Sequence, residues 1–533
     1  MSAPGVLLGL FLVSLFTSLP LYRFTRRVRS AYTERYPAPP LTIGSLIWGH
    51  MPDVRRAVVG TRYTEWRNKF GMMYCLRGPL YEPIIVTGEP RAAFNILKYM
   101  SENFERLPSS RMGMGLWFGS KQQFTAEGTE HRRMRLYLNH AFTYKATREV
   151  SPVIFNLANQ LCSHWKHTIE NGEVNSATFD IREPILALTL DAISMTMLKH
   201  NMSASMGKTA RILRRITKKP FGTALFTYLA GLFMRLLSYG VELPSPIRAA
   251  RVLRGEIRAI AEDGWANVAE ESGMHAKILD LFYSKRPKVE PISKAEMFSH
   301  IGSVLFGGTE PMASVISEYL YEMARLPEIQ SKLRQELLDF CAKHQRELDH
   351  EDLMYPNVLP YLDCVTKEIL RVRPPHTVIT RYATKDIDIP IDFQPRKSPQ
   401  KGLFPHIFVK AGMRIDIPVR EGVNVDTIVW GDDAHEIVPE RWMNIKSPPH
   451  RSYYIHAQGN ILTFGDGPDL CIGRMFETRT CSQIVVSTLI MNFIFEPAEG
   501  VTLDFYQVGD TVKPKIRGRE RQGVQLPLRV RKL

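Results

Sequence analysis

The residues in this chain best placed to do chemistry lie in one short stretch near the C-terminus: Phe464-Gly465-Asp466-Gly467-Pro468-Asp469-Leu470-Cys471-Ile472-Gly473. A single cysteine sits in a loop dense with glycine and proline, directly before the apolar run Ile484 to Phe495. Glycines let a backbone approach a large flat ligand and turn its amides toward sulfur, and the N-terminus of a following helix favours thiolate over thiol. A thiolate held this way can be the axial ligand of a haem iron, with hydrogen bonds to sulfur tuning its electron donation. The bland alternative is a structural cysteine in a tight turn. Against it, Phe-x-x-Gly-x-x-x-Cys-x-Gly arises by chance in roughly one chain in a thousand of this composition. The remaining cysteines (Cys75, Cys162, Cys341, Cys364, Cys481) are scattered without a C-x-x-C pair. That pattern suggests neither a disulfide framework nor a zinc site, and fits a reducing, cytosol-facing compartment.

Charged motifs precede the cysteine in a definite order. Glu368-Ile369-Leu370-Arg371 puts a carboxylate and a guanidinium three apart on one helix face, followed by Arg373-Pro374-Pro375 and then Pro439-Glu440-Arg441-Trp442. Arg441 can complete a buried ion triad with Glu368 and Arg371, a structural device and not a catalytic one. Earlier, Gly128-Thr129-Glu130-His131-Arg132-Arg133-Met134-Arg135 spaces His131 and Arg135 four apart, able to present a donor and a cation to one carboxylate. Arg381 is a second candidate cation for that role; the plain alternative for all three is a solvated basic face.

With these landmarks in this order, the chain resembles the cytochrome P-450 superfamily, in the style of its eukaryotic microsomal and fungal members, over essentially its whole length. The resemblance implies a mainly α fold with small β-sheets around a haem b, with Cys471 as the iron ligand and Phe464, Gly467 and Gly473 shaping its loop. His131, Arg135 and Arg381 are then expected at the haem propionates. It implies a monooxygenase: dioxygen, electrons from an NADPH-cytochrome P-450 reductase, and one oxygen atom inserted into a lipophilic small molecule. Two departures stand out. In Gly307-Gly308-Thr309-Glu310-Pro311-Met312, Pro311 replaces the family's proton-delivering threonine, so Glu310, with Thr309 beside it, becomes the candidate acid. Thr309 is no simple substitute, because two residues along a helix turn a side chain by about 200°. Pro311 should also kink the helix and free the Gly307 carbonyl for water. Asp469 stands where the family usually has Arg or His, so either a propionate turns to Arg135 and Arg381 or Asp469 points to solvent. Relatives that rearrange pre-oxidised substrates need no such threonine, which keeps a haem-thiolate isomerase, dehydratase or lyase as the alternative activity. A non-catalytic haem sensor or electron carrier is a further one.

These residues must be positioned by a large core. The 533 residues, 44% hydrophobic and 23% charged, contain no repeat or low-complexity run beyond residue 50, so one large domain over 51–533 is expected. Long helices should dominate from about 140 to 380, including one helix over 294–324, with short strands between 376 and 443 and a surface loop over 391–405. Pocket residues are expected from Met112 to Phe118, near Val304, and from His376 to Ile379. The apolar stretch Pro220 to Tyr239 suits either a membrane-resting surface or a buried helix pair. Residues 1–22 read as a transmembrane signal anchor: Val6 to Tyr22 is apolar, and Arg23, Arg26, Arg27 and Arg29 follow it. Residues 23–50 form a basic, proline-rich linker. The expected location is the endoplasmic reticulum membrane with the catalytic domain in the cytosol. The net charge of +15 is spread along the chain, which favours anionic membrane or acidic protein partners over nucleic acid.

Overall fold

A computed structural model describes residues 36–40, 48–172, 175–198, 255, 258, 259, 293–392, 406–443, 455 and 460–533. The expected anchor, most of the linker, the stretch Pro220 to Tyr239 and most of the 391–405 loop lie outside these residues. Among the described residues no helix is long and apolar enough to cross a membrane.

Helices make up most of the body: α1 (Pro108–Phe118), α2 (Gly128–Ala141), α3 (Tyr144–Glu170), α4 (Arg182–Leu198), α5 (Lys294–Arg325), α6 (Pro327–His344), α7 (Pro360–Val372) and α8 (Gln483–Asn492). Their starts follow from local chemistry. Proline, whose missing N–H costs nothing in a first turn, opens α1, α6 and α7. A capping box between Ser293 and Glu296 opens α5. The expected long helix is therefore present with one further residue, but it runs unbroken as α-helix through Pro311. Packing on both sides explains that continuity, since α5 buries most of its length against its neighbours. At Gly308 the approach of α4 is so close that a Cβ would sit 2.8 Å from Ile193.

The strands are β1 (Met73–Arg77), β2 (Pro83–Thr87), β3 (Phe104–Glu105), β4 (Ser176–Asp180), β5 (Val378–Ala383), β6 (Ile387–Pro390), β7 (His406–Val409), β8 (Arg414–Pro418), β9 (Phe493–Pro497), β10 (Leu503–Val508), β11 (Thr511–Ile516) and β12 (Pro527–Lys532). The short strands expected between 376 and 443 are β5 to β8. The strands expected between 376 and 443 are not the whole of it: the five-stranded sheet, ordered β1-β2-β8-β5-β3, takes three strands from residues 73–105. β1 and β2 form a local antiparallel hairpin, and β2 then runs parallel to β8, which joins it to strands far along the chain. The main apolar core joins α3, α4, α5, α7 and α8, while a second apolar cluster fills the space between the sheet and the residues before Cys471.

Candidate functional site

The cysteine loop is closed by its own backbone: the Cys471 amide donates to the Phe464 carbonyl at 2.8 Å, and the Leu470 amide to the Gly467 carbonyl at 3.1 Å. Gly467 has a positive φ of 67°, and a Cβ there would lie 2.0 Å from the Leu97 carbonyl oxygen. Its freedom is thus used for close approach to neighbouring backbone, where a flat ligand had been expected. Gly473 directs its N–H at the Cys471 sulfur. A π-helical stretch, Phe476–Ser482, then leads into α8. Cys471 is half-buried, whereas Cys75, Cys162, Cys364 and Cys481 are fully buried. Burial pushes the Cys471 thiol up, and Glu477 adds to this; the Gly473 amide, Arg135 and Arg474 pull the other way by favouring thiolate.

Beside the sulfur the structure gathers a knot of cations. Arg135 on α2 donates to the Leu470 carbonyl at 2.8 Å. Arg381 on β5 pairs with Asp469 at 2.7 Å, Arg106 forms a second ion pair with the same carboxylate, and His131 stands 3.4 Å from it. Asp469 therefore does not point to solvent, and it does not leave Arg381 free either. Burial pushes its carboxyl up, but Arg106, Arg381, His131 and Arg135 outweigh this and hold it below the usual range. His131 is pushed down to about 4, first by burial and then by Arg106, so its imidazole is neutral at physiological pH. Sequence reading missed Arg106, a lone arginine after β3 with no motif around it, and also Arg474, which donates to the Cys471 carbonyl at 3.2 Å.

The expected ion triad is present as geometry. Arg371, 0% exposed, forms a bidentate pair with Glu368 at 2.7 and 2.8 Å, and Arg441 Nε reaches Glu368 at 2.9 Å. Trp442 Nε1 and the Val438 amide also donate to Glu368, each at 2.9 Å. Arg371 turns its remaining donors to the carbonyls of Asn424, Ala434 and Glu436. From there the network reaches the cysteine loop: Asn424 accepts from the Leu462 amide and donates to Thr463, both at 2.8 Å.

On α5, Phe306, Gly307, Gly308 and Pro311 are half-buried, whereas Leu305, Thr309, Glu310 and Met312 are buried. Phe118 at the end of α1 packs on Phe306 with centroids 5.3 Å apart, and Phe124 lies 3.3 Å from where a Gly307 Cβ would be. Val304 is buried on the same helix. Met112 is exposed on α1, which buries Trp117 and Phe118, and His376 Nδ1 lies 2.6 Å from the Asp510 carbonyl. Thr309 and Glu310 are not brought together. The Thr309 hydroxyl donates to the Leu305 carbonyl at 2.6 Å, within its own helix. Glu310 is buried and pairs with Arg182 at 2.5 Å and Lys513 at 3.2 Å.

The cytochrome P450 family profile matches residues 37–515. Cytochrome P450 monooxygenase claW of Ampulloclitocybe clavipes is 27% identical over 98% of this chain and 96% of its own length, and claU of the same fungus shows the same identity and coverage. Cytochrome P450 monooxygenase 128 of Postia placenta is 26% identical over 96% of this chain and 95% of its own. The chain belongs to the cytochrome P450 family and is a monooxygenase of that family.

Proposed function

We propose that Cys471 is the axial thiolate of a haem b, and that the enzyme inserts one oxygen atom from dioxygen into a lipophilic small molecule with electrons from NADPH-cytochrome P450 reductase. The observation that carries this reading is the half-buried sulfur facing the Gly473 amide, with arginines gathered beside it. The residues fit the group the family implies. A soft sulfur donor suits iron, and Arg106, Arg135 and Arg381 together carry more charge than Asp469 takes up. Arg135 and Arg381, with neutral His131 as a hydrogen-bond partner, would hold the propionates, and Phe464, Gly467 and Gly473 fix the loop. Bound haem supplies the activation of dioxygen, which a thiolate donor favours by promoting O–O cleavage.

The chain's own residues supply positioning and protons. Phe118, Phe124 and Phe306 present apolar faces near Gly307 and Pro311, suited to a lipophilic substrate and to excluding water. Glu310, next to Pro311, is the acid that holds and passes a proton in place of the missing threonine. The apolar run Val6 to Tyr22 with its following arginines supports a single-pass anchor in the endoplasmic reticulum membrane, the body facing the cytosol. The basic surface suits docking to an acidic reductase. Pro311 keeps a second reading in view, an isomerase, dehydratase or lyase; turnover that needs neither reductase nor dioxygen would establish it.

The purified protein should show the red-shifted ferrous carbon-monoxide band of thiolate ligation, and Cys471→Ala should abolish it. Absence of the band from the wild type would sink the assignment. A screen of lipophilic compounds for a spin-state shift would then narrow the substrate.

A further inference from the structure

α5 carries polar side chains where a helix in the core ordinarily carries apolar ones. Glu310, Ser314, Ser317 and Glu318 recur at i, i+4, i+7 and i+8, so they share one helix face, and none is more than 5% exposed. Glu322, also buried, extends the stripe towards Arg325, whose side chain is 47% exposed.

The two ends of the stripe are well satisfied. Glu310 is held by Arg182 and Lys513, and Glu322 by Arg373 at 2.5 Å and Arg325 at 2.8 Å. Its middle is not. Ser314 donates to the Val512 carbonyl at 3.1 Å, but Arg182 Nη1, Ser317 Oγ and Glu318 Oε1 have no partner among the described residues. A buried polar group left unmet is costly, so clustered cases mark ordered water or a working role. Burial pushes the Glu318 carboxyl up to about 8; Glu322 adds to this, and Arg373, Arg182 and Arg420 counter it only in part. At neutral pH Glu318 therefore carries a proton in the middle of the stripe.

We propose that this stripe is a proton route: protons enter at the Arg325 end, rest on the Glu318 carboxyl, and cross ordered water at Arg182 and Ser317 to the Glu310 carboxylate beside Pro311. Two helical turns separate the acids, about 12 Å along the axis, so Glu318 acts through Glu310 and touches no reacting atom. In each transfer one proton leaves Glu318 for a water and one leaves that water for Glu310, while solvent reprotonates Glu318; no electrons move. The route rests on the monooxygenase reading, because inserting one oxygen atom leaves the other as water, which takes up two protons per turnover. It places the proton source along α5, on the helix that lost the usual threonine.

Two measurements test it on the purified full chain. Infrared spectra should contain a protonated carboxyl band that shifts in D2O, titrates at alkaline pH, vanishes in Glu318→Gln and survives in Glu310→Gln. With reductase, NADPH and a compound that shifts the spin state, Glu318→Gln should release several times more peroxide per NADPH and show a larger solvent isotope effect, with an unchanged carbon-monoxide band. Glu318→Asp, which keeps a titratable carboxyl, should recover much of the coupling. A wild type lacking the infrared band, or a Glu318→Gln variant with wild-type coupling and isotope effect, overturns the route while leaving the monooxygenase reading intact. A wild type that consumes no dioxygen overturns that reading instead.

Discussion

The two walls of the site are built on opposite principles. On the cysteine side the hub around Glu368 is fully tied: Glu368 receives Arg371, Arg441, Trp442 and a backbone amide, and Arg371 turns its other donors to three carbonyls. On the α5 side, Arg182, Ser317 and Glu318 each keep an unmet polar atom, and a proline interrupts the amide ladder of the central helix. A fully satisfied network fixes a single geometry, which a metal ligand needs. Polar slack leaves room for water and protons, which must move during turnover. The chain spends its rigidity on holding sulfur and its looseness on supplying the reaction.

The largest effect that separates the two walls should come from their central carboxylates. Glu368→Ala leaves Arg371 buried with no counter-ion and should cost about 3–5 kcal/mol, enough to prevent a stable folded protein from accumulating. Glu310→Gln removes one charge from a smaller cluster yet still offers an oxygen to Arg182 and Lys513, and should cost about 1–3 kcal/mol. Guanidinium melts of both variants decide the matter. Equal losses would break the contrast between a locked side and a loose one.

Pro311→Ala sharpens the contrast from the other direction. A helix-interior proline forfeits one amide hydrogen bond and crowds the carbonyl four residues earlier, a burden of about 3 kcal/mol in an unsupported helix. Here packing carries α5 through without a break, so part of that burden is already relieved. The alanine variant should gain about 1–2 kcal/mol while turnover per NADPH falls, since closing the ladder removes a carbonyl open to water. A loss of stability would show that Pro311 is itself a packing element.

How much of this was legible in the sequence follows the same division. The cysteine loop, the Glu368 and Arg371 pair and Arg441 could be read because each is a local spacing with a physical reason. Their meeting at Glu368 needed only helix geometry and a later arginine. Arg106 could not be read: it meets Asp469 across 363 residues, and nothing in its own neighbourhood is unusual. For the same reason the roles of Glu310 and Thr309 were only half visible. Helix phase said that Thr309 cannot stand in for the side chain missing at 311, but not that Arg182 and Lys513 would take Glu310 and the Leu305 carbonyl would take Thr309. The hairpin of β1 and β2 is local and was overlooked, whereas the parallel pairing of β2 with β8 that builds it into the main sheet is a long-range contact without a turn to announce it.

The smallest expected effect is a slope. Glu318, with Arg373, Arg182, Arg420 and Glu322 around it, holds its carboxyl at about 8 in the folded protein, whereas an unfolded glutamate releases its proton near 4.5. The folded state therefore binds a proton that the unfolded chain has lost. The stability this confers is complete below the unfolded value and disappears as pH rises through the folded one. Glu89 and Glu477, both pushed up to about 7 by burial, act in the same direction but finish titrating earlier. His131 and His300, pushed down to about 4, act in the opposite direction and only in acid. Above neutral pH the wild type should lose on the order of 1 kcal/mol per pH unit as Glu318 titrates, and Glu318→Gln, which cannot ionise, should lose distinctly less. Parallel slopes for the two proteins between pH 7 and 8.5 would mean that Glu318 is already ionised in the folded state, leaving the loose wall without its stored proton.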